Sequence, residues 1–121
     1  MATAVQTATG TCAPSALGLT LMHEHLLIGW PGWDSDTAAP RFDRREAKRL
    51  CVDRMLELKG LGVSTLVDPC PIDLGRDVEF AAEVAQASGV HIVCATGSTR
   101  RNRAPRRTSS SAARSPMRCR R

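Results

Sequence analysis

The chain has 121 residues and a formal net charge of +5. That length allows one domain at most, and no apolar stretch approaches the length of a membrane span. The positive total hides two compositions: all twelve acids and eight basic residues precede Gly97, a net of −4, whereas the other nine basic residues are arginines between Arg100 and Arg121.

Residues 2–19 are small and polar, with Gly10, Pro14 and Gly18 as turn signals, and predict a short hairpin or an irregular lead-in. Met1 to Thr11 shows neither a basic nor an apolar leader region, so no signal peptide is expected. An apolar run from Thr20 to Ile28 predicts the first long strand. Gly29 to Pro40 is a loop carrying Trp30, Pro31, Gly32 and Trp33.

Asp43, with Glu46 three residues on, predicts a helix start. Ala47, Leu50, Cys51, Met55 and Leu58 form a stripe at helical spacing, and Gly60 and Gly62 end it. Val63 to Asp68 predicts a second strand, stopped by Pro69. After a loop to Gly75, Asp77 to Ser88 predicts a second helix, ended by Gly89, and His91 to Ala95 a third strand. Alternating strands and helices with short connections imply parallel strands and right-handed crossovers. An open doubly wound sheet and the opening of a (β/α)8 barrel both fit. The first strand–helix junction has no Gly-x-Gly-x-x-Gly and no Walker lysine, which argues against a nucleotide fold.

The five cysteines, at 12, 51, 70, 94 and 119, are odd in number and include no Cys-x-x-Cys pair. Cys51 and Cys94 sit at apolar positions and are expected to be free, which suits a reducing, cytoplasmic setting.

His23-Glu24-His25 carries the chemistry. On a strand, alternate side chains share a face, so both imidazoles point one way and Glu24 the other. Two rises place the rings about 6–7 Å apart, close enough to share one metal ion. An isolated His-x-His is more often two hydrogen-bonded surface histidines, and the spacing is not the helical zinc-protease pattern. The rest of the chain shifts that balance.

The run Gly18-Leu-Thr-Leu-Met-His-Glu-His-Leu is similar to the first strand of the phosphotriesterase family of the amidohydrolase superfamily. The run from Leu66 to Gly97, LVDPCPIDLGRDVEFAAEVAQASGVHIVCATG, resembles that family's second strand, helix and third strand. The resemblance covers about Val5 to Gly97. It implies an α/β fold, the N-terminal βαβαβ portion of a (β/α)8 TIM barrel. It also implies a centre of two divalent metals, usually zinc, with His23 and His25 as ligands of one of them. The implied activity is catabolic hydrolysis of a small-molecule ester, lactone or organophosphate by a metal-activated water.

The family completes its centre with a carboxylated lysine, two further strand histidines and a late aspartate. None has a counterpart here: Lys48 and Lys59 fall on the predicted first helix, and His91 starts the third strand, at the barrel end away from catalysis. No catalytic residue is identified, at most a partial metal site is expected, and the chain as written is expected to be inactive.

Ser98 to Arg121 has no aromatic residue, no branched aliphatic and no acid, and is expected to be disordered. Regrouping its possible codons one base upstream permits an apolar–aromatic start, acids, glycine and proline, as the family has after its third strand. We favour a shifted reading frame near codon 97, giving a hydrolase segment 1–97 and a tail 98–121. The alternatives are a basic arm binding nucleic acid, which lacks aromatic residues for base stacking, and a noncatalytic fragment docking on a partner subunit.

Trp30 and Trp33 follow the histidine strand and either line a substrate mouth or pack the loop down. Asp68 caps the following loop in preference to orienting a ligand histidine. Cys70 is a passive thiol, and Arg76 and Asp77 pair or cap the second helix. With open sheet edges, an oligomer or aggregate is expected.

Overall fold

The computed structural model describes residues 3–98. An antiparallel hairpin of β1 (Val5–Thr7) and β2 (Gly10–Cys12) opens the chain. A three-stranded parallel sheet follows, in the order β3 (Leu19–Leu21), β4 (Val63–Asp68) and β5 (His91–Cys94). Helix α1 (Arg44–Gly60) links β3 to β4, and α2 (Val78–Ser88) links β4 to β5. This is an α/β fold with the expected alternation and parallel pairing.

The helices start where short acidic side chains can replace the missing helical acceptors. Asp43 accepts the N–H groups of Arg45 and Glu46 at 2.9 and 3.1 Å, and Asp77 accepts that of Phe80 at 2.8 Å. Glu46 does not reach back to close a capping box; its carboxylate takes Arg49 one turn on. Gly89 ends α2 with φ +72°, a conformation that L side chains rarely adopt.

The core lies between the helices and one face of the sheet. Leu66 and Ile92, paired in register across β4 and β5, are 1% and 0% exposed. Met55 from α1 and Phe80, Ala81, Val84 and Ala85 from α2 close over them. Fully burying a side chain of this size contributes about 1.5–3 kcal/mol, so the segment's stability is concentrated here. The hairpin joins the same body through the Ala8 N–H, which donates to the Ile92 carbonyl at 2.7 Å.

One expectation fails. The first long strand was predicted over Thr20 to Ile28, but β3 stops at Leu21, so His23-Glu24-His25 lies beyond its end. The Glu24 N–H still donates to the Val67 carbonyl at 3.1 Å, which keeps the motif against β4. Leu26 and Leu27 are apolar because they pack on the core cluster from an irregular segment, not because they continue a ladder. The disordered tail expected from Ser98 lies outside the described residues apart from Ser98 itself.

Candidate metal centre

The segments after β3 and β4 meet at the C-terminal ends of the strands. The imidazoles of His23 and His25 approach edge to face, with centroids 5.4 Å apart and planes at 86°. His23 and Glu24 are exposed and His25 is half-buried. Zinc–nitrogen distances of about 2.0–2.1 Å put two imidazoles on one tetrahedral ion with centroids roughly 5 Å apart. The spacing therefore fits a shared metal, although the strand that was expected to set it has already ended.

Asp68, the last residue of β4, is the polar hub. Its Oδ1 accepts the Cys70 N–H at 2.9 Å and its Oδ2 the Leu26 N–H at 3.3 Å. Oδ1 also lies 3.3 Å from Nδ1 of His25. That nitrogen is buried, and the approach is not aligned as a hydrogen bond, so no partner satisfies it. Cap and histidine contact occur together, where the sequence suggested the cap in preference. The Asp-x-Cys spacing right after a strand was the available signal; the contact with a histidine 43 positions earlier exists only through the parallel pairing of β3 and β4.

Donor atoms of His25, Asp68 and Cys70 lie within 4.8 Å of one another. Cys70 is nevertheless a poor ligand. Its thiol is 2% exposed and donates to the carbonyls of Leu27 and Leu74 at 3.6 and 3.3 Å. Burial, followed by the nearby Asp68 carboxylate, pushes its pKa up and keeps it protonated. This matches the passive thiol expected. The histidines with Asp68 behind them are thus the better donor set.

Around this centre, Trp33 lies edge to face on Phe42 at 5.5 Å, while Trp30 is 70% exposed. Trp33 holds the loop down and Trp30 stands free. Gly75, at φ +86°, lets the loop after β4 come close to Gly29: a Cβ there would sit 3.2 Å from the Gly29 nitrogen. The Gly29 N–H donates to the Leu74 carbonyl at 2.9 Å across the same junction. Arg76 does not pair with Asp77. Its guanidinium donates to the Ala95 and Gly97 carbonyls, each at 2.8 Å, and fastens the segment after β5. His91 starts β5, opposite Thr65 and away from the donor cluster. No helix among the described residues is long and apolar enough to cross a membrane.

The chain is similar to known proteins of one family. The Phosphotriesterase family profile matches residues 3–115, past the compositional break at Gly97. An aryldialkylphosphatase of Saccharolobus solfataricus is 33% identical over 88 residues, which cover 67% of this chain and 26% of that protein. A phosphotriesterase homology protein of Mycobacterium tuberculosis is 39% identical over 101 residues, 77% of this chain and 28% of its own length. The chain thus spans about a quarter of the length of these curated relatives. Among solved structures, an organophosphorus hydrolase from Deinococcus radiodurans superposes with a TM-score of 0.75 at 41% identity, over 78% of this chain and 28% of that one. A mutant of the PTE-like lactonase of the same organism gives 0.74 at 40%, over 78% and 29%. With the profile matching most of its length, this chain belongs to the phosphotriesterase family.

Proposed function

We propose that this chain forms the N-terminal part of a metal-dependent hydrolase barrel, in which His23 and His25 supply two ligands to a divalent metal, zinc by preference. The 5.4 Å pairing of the two rings, in a chain of this family, carries the reading. A metal held there would supply an activated water and polarise the scissile ester, lactone or phosphotriester oxygen. The chain's own residues hold and orient: Asp68 ties the end of β4 to the backbone after His25, and the turn at Gly75 seats the loop beside Gly29. Trp30, exposed in the loop after β3, is a candidate contact for an apolar substrate group, and Trp33 supports that loop.

Two protein ligands fall short of the three or four that zinc ordinarily takes from a protein. The chain is therefore proposed to bind zinc weakly and not to turn over substrate. Purified chain with added zinc, assayed on an aryl phosphotriester and on a lactone, should match free zinc. Turnover above that level, lost in the His23→Ala, His25→Ala double variant, would show a working site and overturn the inactive reading. Titration calorimetry should show zinc binding that the same double variant abolishes.

The unit boundary at Gly97 belongs to this proposal. The composition changes there, while the family match runs on to residue 115. Resequencing the DNA around codon 97 tests the shifted frame directly; an unchanged frame sinks it.

A further inference from the structure

We propose that Asp68 is a positioning residue for His25: its carboxylate holds the proton on Nδ1 and leaves Nε2 with the lone pair that a metal takes. This rests on His25 being a metal ligand, and it adds what sets the ring's tautomer and orientation.

Asp68 is fixed independently of the histidine. It ends β4, its side chain is only 10% exposed, and each carboxylate oxygen accepts a backbone N–H, from Cys70 and from Leu26. Leu26 directly follows His25, so one carboxylate grips the backbone beside the histidine and faces its ring. Nδ1 of His25 is buried without a hydrogen bond, and Oδ1 of Asp68 lies 3.3 Å away. A buried, unpaired polar atom is costly. A lone pair on Nδ1 facing a carboxylate oxygen at that distance would be repelled, whereas an N–H there is attracted. The proton therefore sits on Nδ1, and Nε2 is the nitrogen free for coordination, the usual division of labour in a histidine ligand backed by a carboxylate.

The rival is a metal lodged between Nδ1, the carboxylate and Cys70, whose donor atoms cluster within 4.8 Å. It requires the Cys70 thiol to give up its bonds to the Leu27 and Leu74 carbonyls. It also places the ion on the nitrogen the carboxylate already faces. The two arrangements put the proton on opposite ring nitrogens, so the tautomer separates them.

The test uses the full 121-residue chain with histidine labelled with nitrogen-15. Long-range proton–nitrogen spectra of the neutral rings report the tautomer, and the His25→Ala spectrum assigns the signals. The expected result is His25 protonated on Nδ1. Asp68→Ala removes both oxygens, including the one that faces Nδ1, so the tautomer should move toward Nε2–H. Zinc affinity should then fall roughly ten- to a hundredfold. A purely structural role for Asp68 would leave the tautomer unmoved. Wild-type His25 protonated on Nε2 overturns the proposal, as does an unchanged tautomer in folded Asp68→Ala. So does zinc binding that Cys70→Ser abolishes, which would place the ion at the three-donor cluster. If Asp68→Ala fails to fold, the wild-type spectrum still decides. If wild-type chain binds no zinc while His25 carries its proton on Nδ1, the metal reading fails and the hold of Asp68 on the ring stands.

Discussion

The two faces of the parallel sheet are built to different ends. On the helix-covered face, Leu66 and Ile92 are 1% and 0% exposed. One residue further along each strand, Val67 and Val93 pair in the same register but point the other way, and both are only half-buried. The segments after β3 and β4 carry Met22, Trp30 and Ile72 at 70%, 70% and 64% exposure, with His23 exposed among them. The covered face holds the fold together. The open face leaves Val67 and Val93 half-buried, and the loops beyond the strand ends hold the donors and the exposed apolar side chains.

The largest expected effect is on association. β3 is paired on one side only among the described residues, and exposed Leu19 lies on it. A free strand edge beside exposed apolar side chains favours pairing with another chain. Size exclusion of the purified chain should show oligomers or aggregate even at micromolar concentration. A monodisperse monomer with a cooperative melt would mean that the open face needs no cover.

Next comes truncation of the two faces. Ile92→Ala should cost about 2–5 kcal/mol of stability, the range for emptying a packed core site. Val67→Ala should cost clearly less, because its site is already part solvent and can collapse. Amide exchange protection in β4 and β5 measures both. Equal losses would break the distinction between the faces.

Thiol chemistry probes the same boundary. Burial raises the pKa of Cys51 and Cys94, and burial together with Asp68 raises that of Cys70. These thiols should react slowly with a disulfide reagent at neutral pH and become fast on unfolding in urea. The folded chain holds their protons more tightly than the unfolded chain does. Their contribution is thus fully present below the ordinary thiol value of about 8.5 and is lost as pH rises toward the raised values. Fast neutral labelling of Cys70 would show that the loop after β4 opens.

Much of this was legible because local chemistry and tertiary packing agree. Gly62 and Pro69 bracket Val63 to Asp68, and β4 has those bounds. Asp43, Asp77 and Gly89 mark helix ends by capping, which needs no distant partner, and Gly62, at φ +94°, follows the Leu61 that caps α1. The expected first strand failed where that agreement breaks. Leu26 and Leu27 satisfy a strand's hydrophobicity, yet their burial comes from packing on the core cluster, and the Leu26 carbonyl faces the Cys51 thiol at 3.5 Å. Hydrophobicity records burial, not backbone pairing. The histidines were legible as a pair from their spacing. The carboxylate behind one of them was not, since only strand pairing brings residue 68 to residue 25.

The smallest expected change in stability is at His23. It is exposed, and its ring packs edge to face on that of His25. Surface substitutions of this kind usually shift stability by no more than about 0.5 kcal/mol. His23→Ala should therefore unfold in urea much as the wild type does when zinc is absent. With zinc at a hundred times its dissociation constant, a ligand that binds only the folded state adds about 2.7 kcal/mol. Wild-type chain should gain on that scale, and His23→Ala should gain little, because a lone His25 cannot hold the ion tightly. The contrast isolates the ring pair: one substitution, silent without metal, removes the metal's stabilisation. If His23→Ala gains as much from zinc as the wild type, the ion is held without it, and the pairing of the two rings is only an edge-to-face contact.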